Sequence, residues 1–241
     1  MAEAIQLSEA LAYPFRDTRW PGKAGLLALL SFIPVLNFAA IGFELETARR
    51  VAVGEALPMP DWGDLGGLFR RGLWLALARY VYALPLFFLM ALAAIAGFAF
   101  LYTLDTQYEA WAPLLGLACG GGFLLMVLFG FVFSFFSPAV AVRYLEVGTF
   151  ASCFDLAVIW RNFRRHTTAH LTVFGSIIGF SLGLSLLVGP AVIFLSFIPC
   201  IGTIAYVLVL AAMVSAVLLF TAHLEGQLLR TVLASFPAAS R

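Results

Sequence analysis

Apolar residues run along this chain in long uninterrupted stretches, and polar residues are gathered into the short connections between them. Four stretches reach the roughly 20 residues, at about 1.5 Å each, that a helix needs to cross an apolar layer about 30 Å thick. They run from Tyr80 to Leu104, Pro113 to Val142, Leu171 to Ile198 and Thr203 to Leu224. Apolar character within each is continuous and not alternating, which predicts helices and not the strands of a membrane barrel. The pattern predicts an all-α integral membrane protein: four transmembrane helices in one polytopic domain over residues 1–241.

A fifth stretch, Ala24 to Phe43, carries Ile33-Pro34-Val35-Leu36-Asn37 at its middle, a helix breaker followed by a turn former. It reads either as one kinked span or as a re-entrant helical hairpin turning between Pro34 and Asn37. Arg16, Arg19 and Lys23 precede it and Arg49, Arg50, Arg70, Arg71 and Arg79 follow, so both flanks carry the charge of one membrane side and favour the hairpin. Its turn, lying at depth, is expected to pack against the four spans. The run Leu30 to Pro34 returns as Leu195 to Pro199, with Asn37 matched by Gly202, so Pro199 and Gly202 are expected to form a second hairpin turn.

Lys and Arg concentrate in a few connections, and the one rich in acid and free of base is Asp105 to Trp111. Basic loops face the cytoplasm. Both termini are then cytoplasmic in a prokaryotic inner membrane, with Asp105 to Ala112 and Pro199 to Gly202 outside. No convincing secretory signal opens the chain, so its first residues are expected to be retained. Two segments, Asp64 to Arg79 and Phe150 to His166, have the mixed faces of interfacial helices and share Phe-Arg-Arg. Arg70, Arg71, Arg164 and Arg165, with Trp20, Trp62 and Trp160, are expected to face lipid, anionic headgroups included, or a protein partner.

Composition agrees with a membrane setting: 63% of the 241 residues are hydrophobic and 11% charged, against about 25% charged in a soluble domain. A formal charge of +1 argues against a nucleic-acid partner. Small residues mark candidate packing faces, Gly116 with Gly120 and Gly175 with Gly179 and Gly183, for contact within the bundle, with a membrane-protein partner or with a second copy.

Chemistry is nearly absent from the pattern. Cys119, Cys153 and Cys200 are far apart, and His166 and His170 lack a third ligand while Arg164 and Arg165 repel a cation. No nucleophile elbow, zinc-protease or phosphate-loop motif occurs, so no catalytic residue, cofactor or metal is expected. Glu46 lies within helical reach of Arg50. His223, Glu225, Gln227 and Arg230 gather at the inner end of the last span, as an ion relay or as packing groups.

The runs Trp20 to Leu30, Ile33 to Asn37, Gly42 to Arg50, Leu57-Pro58-Met59-Pro60-Asp61-Trp62-Gly63-Asp64, Leu68-Phe69 and Gly72-Leu73 resemble a prokaryotic multi-pass membrane family catalogued as a domain of unknown function, number four-zero-one-three. Ile198 to Gly202 and Gly226-Gln227-Leu228 are compatible with it. The resemblance implies a polytopic protein and no activity. Physically, Pro58 and Pro60 stiffen a linker, Trp62 seats it, and Asp61 or Asp64 caps the next helix. Two functions fit: a non-enzymatic accessory or scaffold subunit that binds another membrane protein or organises lipid, and a small transporter or channel for a lipid or solute built on the hairpin and Asn37. The first suits spans that carry few polar side chains.

Overall fold

The computed structural model describes residues 5–104, 109–198 and 201–235. Among them every regular element is helical, with no strand. The eight α-helices are α1 (Leu7–Ala12), α2 (Trp20–Phe32), α3 (Asn37–Val53), α4 (Leu65–Leu104), α5 (Ala112–Val147), α6 (Leu156–Arg165), α7 (Thr167–Ser196) and α8 (Ile201–Ala234). Of these, α4, α5, α7 and α8 are long and apolar enough to cross a membrane. Their surfaces stay apolar and open, with Phe98, Leu117, Leu186 and Leu187 all at least 75% exposed. Such area is costly in water at about 25 cal/mol per Å² and costs nothing in lipid. The chain is a polytopic membrane protein.

Residues 24–43 are two helices. The ring of Pro34 disfavours helical backbone at Ile33, which is extended at φ −96° and ψ 111°. Two amides of the turn bond within it: Ile33 N–H donates to the Leu30 carbonyl at 3.3 Å, and Asn37 N–H to the Ile33 carbonyl at 2.8 Å. Helices α2 and α3 have 13 and 17 residues, each short of a full crossing. The turn is not packed against the spans as expected, since Ile33, Val35 and Leu36 are exposed. The tip presents the apolar side chains of Ile33, Val35 and Leu36. The repeated run makes the same bond, Ile198 N–H to the Leu195 carbonyl at 3.0 Å. Gly202 opens α8, while Pro199, Cys200 and the acidic connection 105–108 lie outside the described residues.

Helix α3 ends at Gly54, whose φ of +83° suits a residue without Cβ. Gly54 and Glu55 N–H groups bond back to Val51 and Arg50 carbonyls at 3.0 Å each. The linker then leads to α4, where Asp64 Oδ1 accepts the Gly67 N–H at 2.9 Å and starts the helix. Residues 64–79 are no separate surface helix: α4 runs 40 residues without a break. The segment 150–166 divides instead, a 3₁₀ turn Phe150–Phe154 preceding α6. Asp155 stands at the joint and binds Arg143 at 2.9 Å.

Two compact units result, residues 1–76 with 138–241, and residues 77–137. In the second, Gly122 faces Ala93, Gly97 faces Cys119 and Gly116 faces Phe100, which sets α4 and α5 antiparallel. In the first, α8 is the hub against which α1, α2, α3 and α7 pack. Three glycines let backbones touch there: a Cβ on Gly42 would strike the Leu68 carbonyl, one on Gly72 the Phe38 carbonyl, and one on Gly226 the Ala48 carbonyl. Of the glycines expected to pack, Gly116 faces the Phe100 ring, which would lie 3.4 Å from a built Cβ, whereas Gly120, Gly175, Gly179 and Gly183 have no neighbour within 4 Å of one. Apart from Gly116, close approach inside the chain falls to glycines that no four-residue spacing marks. Gly179→Leu should therefore leave the melting temperature of the isolated protein within a degree or two; a clear drop would place an intrachain contact there.

Candidate functional site

The first unit is tied together at its polar end. Lys23, buried near the start of α2, reaches Asp17 Oδ2 at 2.8 Å, Asp61 Oδ1 at 3.0 Å and the Met59 carbonyl at 2.9 Å. Trp62 Nε1 donates to the Lys23 carbonyl at 3.3 Å, and its ring stacks on Phe43 at 4.5 Å. The proline, aspartate and tryptophan cluster is thus a latch folding the linker onto α2. Asp61 serves this latch, leaving the cap to Asp64. Trp62, expected to face lipid, is half-buried inside it. The Lys23 hydrogen bond holds the Asp17 carboxyl below the ordinary carboxylate range, helped by the Arg19 amide.

Glu46 meets Arg50 Nε at 3.1 Å as its spacing foretold, and it also gathers Arg49 Nη2 at 2.8 Å and Arg71 Nη2 at 3.9 Å. Arg71 also meets Asp64 at 3.5 Å, so it braces α3 against α4 and is not a free lipid contact. Arg70, Arg164, Arg165 and Trp160 are exposed, and Trp20 is half-buried against Phe15 at 5.0 Å. His170 is buried, its ring nitrogen Nδ1 3.1 Å from the His166 carbonyl, and the His166 ring turns to Ser235 at 3.3 Å. Among the described residues no three His, Cys, Asp or Glu side chains group to hold a metal.

Two hollows flank one short segment, residues 6–16. Gln6, Glu9, Tyr13 and Arg16 recur every three or four positions and line a polar cleft of about 760 Å³. Ala10, Leu11, Pro14 and Phe15 occupy the other face and line an apolar groove of about 750 Å³. Helical spacing separates the faces, so the segment is an amphipathic strap laid on α8. The opposite wall of the cleft is also α8, through His223, Gln227, Arg230 and Thr231, closed by Gly54 and Glu55 after α3. In the groove, Ala24, Gly25 and Ala28 of α2 face Leu208, Ala212 and Ser215 of α8.

The strap is pinned by one amide. Gln227 Oε1 accepts the Gln6 N–H at 2.6 Å, and its Nε2 donates to the Gln6 carbonyl at 3.0 Å and to His223 Nδ1 at 2.9 Å. His223 stacks on Tyr13 at 4.7 Å. The Tyr13 hydroxyl donates to the Leu219 carbonyl at 2.9 Å. Burial, and secondarily Glu44, raise its pKa far above the ordinary value, so the phenol stays neutral. Arg230 turns to the end of α3, donating to the Val51 and Ala52 carbonyls, where a cation suits the helix dipole. The polar group foreseen on the last span therefore divides. His223, Gln227 and Arg230 line the cleft, and Glu225 lies outside it, 1% exposed. The opening residues are mildly amphipathic in the sequence, but their place at a site was not foreseen, though the 6, 9, 13, 16 spacing opposite 10, 11, 14, 15 was a signal.

These features define a class: a multi-pass α-helical membrane protein whose amino-terminal hairpin and strap assemble on its last helix beside a polar cleft and an apolar groove. The chain belongs to the family described as protein of unknown function (DUF4013), whose model matches residues 26–197. No curated protein and no solved structure matches it.

Proposed function

We propose that this chain is a non-enzymatic protein of the prokaryotic cytoplasmic membrane that organises lipid, holding one amphiphile against α8. The observation that carries this reading is the succession of hollows along that helix. Residues 207–220 of α8 line the apolar groove and residues 223–234 the polar cleft, about 20 Å and then about 17 Å of helix at 1.5 Å per residue. A bilayer lipid has the same order of apolar chain and polar head. Both volumes fall in the usual range for small-molecule sites, about 300–1,000 Å³. The exposed apolar tip of the hairpin supports a re-entrant placement, and the basic connections support cytoplasmic termini.

Gly25 offers a direct test. It lines the groove and has no atom within 4 Å of a built Cβ, so Gly25→Trp fills the groove without disturbing the fold. Native mass spectrometry of the gently released protein should show one retained lipid per wild-type chain and none on the variant. Wild-type chains without lipid would refute the reading. Transport of the same amphiphile would use the same groove and would appear as lipid flux in vesicles. Assembly with another membrane protein or a second copy is the second reading, favoured by the open Gly175, Gly179 and Gly183 face of α7; the same spectra report the partner mass.

A further inference from the structure

The charges around the cleft go further and select a headgroup, an inference that rests on the lipid-holding reading above. Two carboxylates and one guanidinium stand at its opening: Glu9 is 43% exposed, Glu55 48% and Arg16 53% by side chain. Their existing pairs are loose, Glu9 to Arg16 at 3.6 Å and Glu55 to Arg50 at 3.8 Å. The other cation in the lining, Arg230, is directed to the carbonyls that end α3. His223 accepts a hydrogen bond from Gln227, which occupies one ring nitrogen. The lining as a whole is balanced, two carboxylates to two guanidiniums, and at its opening Glu9 and Glu55 stand beside the one guanidinium not bound to a helix end, opposite signs side by side.

Phe15 and Arg16 are successive residues of the strap, the first lining the groove and the second the cleft, and both are exposed. A single molecule can straddle this edge with its chain on one side and its head on the other. We infer that the site binds a zwitterionic phospholipid with a primary ammonium, its phosphate on Arg16 and its ammonium between Glu9 and Glu55. Arginine matches phosphate oxygens in a forked pair, and the N–H groups of a primary ammonium donate to carboxylates at close range. A choline head has no N–H to donate. A glycerol head is neutral and brings no cation to set between the two carboxylates, so they stay unpaired beside it.

Competition among phosphatidylethanolamine, phosphatidylcholine and phosphatidylglycerol, offered in equal amounts to the purified full chain, reads this out by native mass spectrometry. The wild type should retain phosphatidylethanolamine about tenfold over the other two, the scale of one charge-assisted hydrogen bond. Glu9→Gln with Glu55→Gln should level the three, and Arg16→Ala should weaken all of them together. These residues are exposed, so the variants fold, which an unchanged melting temperature verifies. A wild type that holds all three equally, or prefers phosphatidylglycerol, overturns the headgroup assignment and leaves the lipid-holding reading standing. A tenfold preference that persists in the double glutamine variant also overturns it. A wild type that retains no lipid removes both.

Discussion

Lys23→Met should lower the stability of the detergent-solubilised protein by about 3–5 kcal/mol, the range seen when one partner of a buried ion pair is removed. Methionine fills similar space, so the loss is electrostatic: Asp17, 7% exposed at its side chain, loses its buried cation, and Asp61 and the Met59 carbonyl lose their shared donor. The linker and Trp62 should loosen with it. Adding Asp17→Asn should restore much of the loss, because the stranded charge and not the missing contact is the larger cost. The acid side has a definite sign. Asp17 titrates below its unfolded value of about 3.9, so its contribution is complete above that value and fades as pH falls through the lower folded one. In the methionine variant the carboxyl protonates more readily, so the gap from wild type should narrow from pH 7 towards pH 4. Thermal melts at both pH values decide it, and a gap that stays constant would refute the account.

Gly42→Ala should cost about 1–3 kcal/mol or more, the price of overpacking where backbone stands behind the clash. Its new methyl falls on the Leu68 carbonyl, and Gly72→Ala makes the reciprocal clash with the Phe38 carbonyl. No side chain can swing aside, so α3 and α4 must separate at the point where Glu46 and Arg71 brace them. Gly179→Ala provides the control, since that position is open and alanine is the better helix former by about 1 kcal/mol. Equal melting temperatures for Gly42→Ala and Gly179→Ala would show that the α3–α4 contact does not hold the unit together.

The spans could be read from sequence because a continuous apolar run has few helical alternatives, and the break at Ile33 could be read because proline acts on its own neighbour. Asp64 as the cap of α4 and the Glu46–Arg50 pair were local in the same way, both within four residues. What sequence reasoning missed depends on distance along the chain. Nothing about Lys23 announces Asp61, 38 residues on, and nothing about Gly226 announces the Ala48 carbonyl. The exposed glycines of α7 were more conspicuous than Gly42 and Gly72 because a regular spacing catches the eye, whereas close approach needs only one glycine on each helix. The strap was obscured by its length: eleven residues with mixed faces resemble a frayed terminus until α8 is placed beneath them.

Because α1, α2 and α3 find their main partner in α8, the order of synthesis imposes a wait. About 150 residues separate the end of α3 from the start of α8, which at roughly 5–20 residues per second is on the order of ten seconds of translation. Throughout that interval the amino-terminal hairpin has emerged without the surface it is shaped to meet. A nascent chain arrested before α8 should therefore hold α1, α2 and α3 in a state open to insertases, chaperones and proteases, and quality control of this protein would be exercised at α8.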